Sequence, residues 1–137
     1  MVLDPRRNPG LEKADAERIL CDYLGGQKVI WLTSALDHDN TGGHVDNLAC
    51  FTAPGVVAAL GCADRDDPQY AAVHENLTRL RTSRDARGRA PEVVELPMPA
   101  RPEYQRGRLS PSYVNFYLTN GGVVMPAFGD PLDEEAP

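Results

Sequence analysis

The sequence predicts an α+β fold made of a repeating strand–strand–helix–strand (ββαβ) unit. Three observations carry that reading. Short apolar, β-branched runs meet at the turn signals Ala53-Pro54-Gly55 and Asn120-Gly121-Gly122, as they do in hairpins. Apolar residues recur at helical spacing in two stretches, around Ile19 and around Leu77. Asn47, an apolar run and Gly55-Val56-Val57 return as Asn115, an apolar run and Gly122-Val123-Val124, 68 and 67 residues later. One such unit rarely buries its apolar face alone. The order read here is the helix and strand that end one unit, one whole unit, and the hairpin that opens a third. Residues 1–137 are therefore expected to be part of one longer domain.

Residues 1 to 10 hold two prolines and a glycine and read as a loop. From Leu11, the positions Ala16, Ile19, Leu20, Tyr23 and Leu24 predict a helix stopped by Gly25-Gly26. Lys28 to Thr33 is β-branched and aromatic enough for a short buried strand. A polar loop runs from Ser34 to Gly43, and strands are predicted at Asp46 to Phe51 and Val56 to Leu60. Asp67 is the expected N-cap of the second helix, with Pro68 at its first position and Tyr70, Val73, Leu77 and Leu80 following. That helix should end near Arg84. Glu92 to Leu96 is a third strand, and Pro97 to Ser110 is a loop rich in proline and arginine. Ser112 to Thr119 and Val123 to Pro126 form a second hairpin. Asp130 to Glu135 reads as the opening of another helix.

The chain of 137 residues is long enough for one ordinary core, burying roughly two-thirds of its unfolded surface. With 14 basic and 20 acidic residues it carries a net charge of −6. That balance argues against nucleic acid and anionic membranes as partners, and it suits a cationic substrate. No apolar run approaches the roughly 20 residues that span a bilayer, and the N-terminus lacks a signal-peptide core. Three cysteines, Cys21, Cys50 and Cys62, lack CxxC spacing, so reduced thiols in the cytoplasm are expected.

Chemistry concentrates at Asp39-Asn40-Thr41-Gly42-Gly43-His44-Val45-Asp46-Asn47. If the strand has begun by His44, its imidazole and the Asp46 carboxylate leave the same face, a proton carrier beside an anion. The competing reading is a strand-edge histidine with an aspartate capping the turn. Asp37, His38, Asp39, His44 and Asp46 could also ligate a metal in a hydrolase, although no known ligand spacing is matched. Cys50 shares strand parity with His44 but would stand about 20 Å away, so a core cysteine is expected rather than a nucleophile. The glycine-rich spots are turns, not phosphate cradles. Trp31, Tyr113, Phe116 and Tyr117 read as core.

Gly43-His44-Val45-Asp46-Asn47 and Ser112-Tyr113-Val114-Asn115-Phe116-Tyr117 resemble agmatine deiminases of the porphyromonas-type peptidylarginine deiminase family, in the guanidino-group-modifying superfamily. The resemblance extends in order through Asn8-Pro9, Lys28-Val29-Ile30-Trp31-Leu32, Asp39, Thr41, Asp67-Pro68-Gln69-Tyr70, Gly88-Arg89, Leu96-Pro97 and Asn120 through Asp130. It implies a pentein, a five-bladed α/β-propeller of ββαβ units, of which about two units are present here. It also implies hydrolysis of the agmatine guanidinium to N-carbamoylputrescine and ammonia, on a route to putrescine, with no metal and no organic cofactor. By position, His44 becomes the acid–base residue and Asp46 a guanidinium-binding carboxylate, both counted as catalytic.

The nucleophilic cysteine of the family lies in a glycine-rich stretch beyond Pro137, and its Glu-Gly-Gly stretch precedes Met1. Cys50 does not match the nucleophile's motif, so the isolated chain is expected to be inactive. The loop from Pro97 to Leu109 is shorter than in many relatives, which leaves agmatine, arginine and peptidyl-arginine open as substrates. A truncated, non-catalytic binding or assembly module of the same fold is the alternative. Open strand edges on both sides imply marginal stability or association with a second copy.

Overall fold

The strand–strand–helix–strand unit predicted for the middle of the chain is present. The structure, a computed structural model, describes residues 1–36, 39, 42–100, 103–104, 107–108 and 110–135. Strands β1 (Ala49–Ala53) and β2 (Val56–Gly61) form an antiparallel hairpin, with Gly55 at a φ of 85° in the turn. Helix α2 (Tyr70–Thr82) carries the chain back, and β3 (Glu92–Pro97) pairs parallel to β2. The sheet order is β1-β2-β3. Parallel neighbours require a crossover of this kind. The central strand is buried from Val57 to Gly61, which is why Val-Val-Ala-Ala-Leu runs without polar alternation.

Helix α2 presents Val73, Leu77 and Leu80 to the sheet at helical spacing. They close a core with Leu36, Leu48, Val57, Ala59, Leu60 and, from the later part of the chain, Val114. The Asp67 carboxylate accepts the Gln69 N–H at 2.7 Å, and its carbonyl accepts that of Tyr70 at 2.9 Å. Asp67 thus shapes the turn that launches the helix, but regular helix begins at Tyr70 and ends at Thr82, inside the predicted span.

The first helix, α1 (Lys13–Leu24), ends at a left-handed Gly25 as expected. Its apolar stripe is only partly used: Ala16 is buried, while Tyr23 is 86% exposed. Lys28 to Thr33 does not form the predicted strand. Ile30 and Leu32 pack against the core, and the Trp31 indole donates to Glu17 at 2.6 Å. No strand neighbours the segment among the described residues, and a strand exists only through pairing.

Further along, the short strands β4 (Glu103–Tyr104) and β5 (Gly107–Arg108) pair antiparallel inside the predicted loop. The strand predicted at Ser112 to Thr119 is reduced to β6 (Tyr117–Thr119), paired with β7 (Gly122–Val124). Ser112 is the reason. Its hydroxyl accepts the Val114 N–H at 3.2 Å and its carbonyl accepts that of Asn115 at 3.3 Å, a local turn that competes with extended backbone. The final helical opening is a 3₁₀ turn, Pro131–Glu134, with a reciprocal Asp130–Asp133 capping box. No helix among the described residues is long and apolar enough to cross a membrane.

Two predictions follow from this packing. Leu77, 1% exposed, is in the core cluster, and Leu77→Ala should cost about 2–5 kcal/mol in chemical denaturation. The second concerns Asp133, which accepts the Tyr113 hydroxyl at 2.6 Å and the N–H groups of Phe128, Gly129 and Asp130. Those bonds, the phenol's first, hold the Asp133 carboxyl below the usual aspartate range. Burial, then the bond to Asp133, pushes the Tyr113 phenol well up. A depressed carboxyl contributes stability above its unfolded pKa near 3.8 and loses it as pH falls through the lower folded value. Near-UV circular dichroism of Tyr113 should therefore show an acid transition below pH ~4, which Asp133→Asn removes.

Candidate active site

The residues that deliver His44 are fixed from both sides. Asn76, buried on α2, accepts the Thr33 N–H at 3.0 Å and the Ser34 N–H at 3.4 Å, and donates to the Ser34 carbonyl at 2.7 Å. Leu36 follows, buried in the core. Asp39 then folds the chain onto itself: its carboxylate accepts the N–H groups of Gly43 at 2.9 Å and His44 at 3.2 Å, while its carbonyl accepts that of Gly42 at 3.2 Å. Gly42 and Gly43 stand at φ of 80° and 91°, a backbone that side chains rarely adopt. A Cβ on Gly43 would lie 3.0 Å from the Ala35 Cβ.

The turn does not lead straight into a strand. His44, at φ −66° and ψ 134°, opens a 3₁₀ turn, Val45–Asn47, closed by the Leu48 N–H on the Val45 carbonyl at 2.8 Å. The Leu48 carbonyl accepts the Leu60 N–H at 3.0 Å, which ties the turn to β2. The predicted strand at Asp46 therefore starts at Ala49, and the strand parity that set His44 beside Asp46 is corrected. In a 3₁₀ turn, residues two apart project in different directions. No hydrogen bond or ion pair joins the two side chains among the described residues.

His44 and Asp46 occupy different environments. Asp46 is exposed. His44 is half-buried, and its Nε2 is shielded from solvent with no hydrogen-bond partner among the described residues. A buried polar atom left unpaired costs about 1–3 kcal/mol and calls for a reason, catalysis among them.

Asn47 joins this turn to the later part of the chain. Its carbonyl accepts the Ser112 hydroxyl at 2.8 Å, and its side-chain oxygen accepts the Asn115 amide at 3.1 Å. The two asparagines that the internal repeat aligns are hydrogen-bonded to each other.

The other candidates are placed apart from a reactive arrangement. The half-buried Cys50 thiol donates to the Phe51 carbonyl at 3.5 Å, and the buried Cys62 thiol to that of Asp64 at 3.4 Å. Cys21 lies half-buried on α1. Of the proposed metal ligands, Asp37 and His38 lie outside the described residues, and the Asp39 carboxylate is committed to backbone donors. No His/Cys/Asp/Glu group among the described residues is placed to hold a metal.

A cleft of about 680 Å³ opens at the C-terminal ends of β2 and β3, with Cys62, Asp64, Asp67, Glu95, Met98 and Glu135 in its wall. Neither His44 nor Asp46 lines it. Sequence reasoning missed this acidic cleft, since its acids belong to separate elements. It also missed Asn76, whose signal is a polar residue inside an apolar helical stripe.

Comparison with known proteins gives this arrangement a family. A relative from Legionella pneumophila is 45% identical over 128 residues, covering 93% of this chain and 37% of the relative. The agmatine deiminase of Pseudomonas aeruginosa is 40% identical, covering 98% of this chain and 42% of its own length. Among solved structures, the agmatine deiminase of Enterococcus faecalis superposes with a TM-score of 0.90 at 38% identity, over 98% of this chain and 41% of that one. The C. jejuni agmatine deiminase with substrate bound, in a cysteine-to-serine form, superposes at 0.88 with 28% identity, over 98% of this chain and 39% of that one. The chain thus spans about two-fifths of the length of these relatives. The family model for Porphyromonas-type peptidyl-arginine deiminases matches residues 1–137, from the first helix through the His44 turn to the Asp130 cap, and the chain belongs to that family.

Proposed function

We propose that this chain is the central part of a cytoplasmic agmatine deiminase, which hydrolyses the agmatine guanidinium to N-carbamoylputrescine and ammonia on a route to putrescine. The observation that carries the reading is His44 Nε2, a dry ring nitrogen without a partner among the described residues, on a turn clamped by Asp39. Such a nitrogen is free to exchange a proton with a reacting group.

The chemistry proceeds in two halves. A cysteine thiolate, supplied by sequence outside these 137 residues, adds to the guanidinium carbon. The carbon–nitrogen bond then breaks as His44 gives a proton to the departing ammonia. Water adds to the same carbon with His44 taking its proton. The carbon–sulfur bond breaks, leaving the water oxygen in the ureido product and restoring the thiolate. Asp46, exposed beside the turn, accepts guanidinium N–H groups, whose planar donors suit a carboxylate. No metal or organic cofactor takes part. The substrate-bound, cysteine-to-serine form of the C. jejuni relative supports a thiolate in this role. Cys50 is an unsuitable source, since its thiol is turned onto the Phe51 carbonyl.

Substrate choice rests on the loop from Pro97 to Leu109. The pairing with the P. aeruginosa enzyme extends over 153 positions against 137 residues here, so that enzyme carries residues this chain lacks. The agmatine relatives nevertheless favour a small amine-bearing guanidine over peptidyl-arginine.

In the full-length protein, His44→Ala should lower ureido-product formation by about 10²–10⁴-fold, while Cys50→Ser leaves it near normal. Near-normal turnover by His44→Ala overturns the assignment. Gly43→Ala tests the turn: its positive φ and the close Ala35 contact should cost about 1–3 kcal/mol. A melting temperature and kcat that both match the parent would show that the clamp does not position the imidazole.

A further inference from the structure

Helix α2 gives one of its buried positions to a polar residue. Asn76 stands in the stripe formed with Val73, Leu77 and Leu80 and is 5% exposed, where an apolar side chain would pack against the sheet. A buried amide is tolerated when its donors and acceptor find partners. Among the described residues, those of Asn76 lie neither in α2 nor in the sheet. Its oxygen accepts the N–H groups of Thr33 and Ser34, and its nitrogen donates to the Ser34 carbonyl, all 42 or 43 residues earlier in the chain. These partners fix the amide's orientation, since a flipped amide would aim its own N–H groups at two backbone N–H groups.

The segment held in this way leads to the His44 turn. Ala35 follows Ser34, and a Cβ on Gly43 would lie 3.0 Å from the Ala35 Cβ and 3.9 Å from its Cα. Carbon atoms rest at about 3.5–4.0 Å, so the Gly43 backbone lies against Ala35 with no gap between them. Gly43 in turn precedes His44, and the Asp39 carboxylate holds the N–H groups of both. A shift of Ser34 away from α2 carries Ala35 with it and removes the surface on which Gly43 rests. Asp39 belongs to the turn and sets its shape, whereas Asn76 belongs to α2 and sets where the turn stands.

We infer that Asn76 is a positioning residue for His44, acting through Ser34 and the Ala35–Gly43 contact to fix where the imidazole meets the substrate. The inference rests on the acid–base reading of His44. A misplacement of about 1 Å that arises far from the chemistry can lower a rate by about 10²-fold. The loss falls on turnover rather than on substrate affinity, because Asn76 touches neither the substrate nor a reacting atom.

The test uses the full-length protein with agmatine, at a temperature where circular dichroism shows each variant folded. Asn76→Ala should lower kcat by about 10–100-fold and leave KM within about twofold of the parent. Leu77→Ala, a core change on the same helix, should lower the melting temperature and leave kcat as it was, so lost stability alone does not produce the effect. Ala35→Gly should lower kcat in the same direction. Combined with Asn76→Ala it should add no further loss, because the two act along one path. Carbethoxylation of His44 by diethyl pyrocarbonate, read by mass spectrometry, needs no turnover. The shielded Nε2 should react faster in Asn76→Ala than in the parent or in Leu77→Ala. If Asn76→Ala does not fold, Asn76→Asp replaces it, keeping the acceptor for Thr33 and Ser34 and losing the donor to the Ser34 carbonyl.

Parent-like kcat and His44 reactivity in a folded Asn76 variant overturn the inference, while an inactive His44→Ala leaves the deiminase reading standing. Losses that add in the double variant overturn it as well, since the route through Ala35 is then absent. If His44→Ala keeps full turnover, the deiminase reading falls, and the reactivity of His44 alone decides whether Asn76 seats the imidazole.

Discussion

Among the described strands, β2 alone is hydrogen-bonded along both edges, antiparallel to β1 and parallel to β3. Placing an apolar strand in that position obliges a helix to cover its face and a crossover to return the chain, and α2 does both. The His44 turn depends on the same strand, because the Leu60 N–H reaches back to the Leu48 carbonyl at the end of the 3₁₀ turn. Helix α2 then holds the other side of the delivery loop through Asn76. The candidate site is therefore an extension of the core rather than an ornament on it.

What the sequence made legible was local. The α2 stripe, the Pro54-Gly55 turn and the Asn120-Gly121-Gly122 turn are written in neighbouring residues, and each lies where the pattern put it. Lys28 to Thr33 has the composition of a strand, but pairing is settled by residues elsewhere, and no strand neighbours it among those described. Ser112 hid its turn because a hydroxyl that accepts a backbone N–H looks like any other strand serine. At the site, residue identity singled out His44 and Asp46, while strand parity misplaced their relation. Two successive left-handed glycines precede His44 and a short 3₁₀ turn carries it into Asp46, and alternation has no meaning through either.

The division of work among the acids near His44 is physical. Asp39 spends its carboxylate on two backbone donors and so is a positioning residue. Asp46 is exposed, and its carboxylate makes no hydrogen bond among the described residues. The His44 backbone is held by the first of these acids, and no hydrogen bond or ion pair joins its side chain to the second among the described residues. The imidazole Nε2 is shielded from solvent and has no hydrogen-bond partner among the described residues.

The bond between Asn47 and Asn115 has a mechanical consequence. With the Ser112 hydroxyl on the Asn47 carbonyl, it ties the β1–β2 hairpin to the approach of the β6–β7 hairpin across 68 residues of sequence. Both bonds converge on the last residue of the 3₁₀ turn that His44 opens. A displacement of the later segment is therefore transmitted directly to the turn that carries the imidazole.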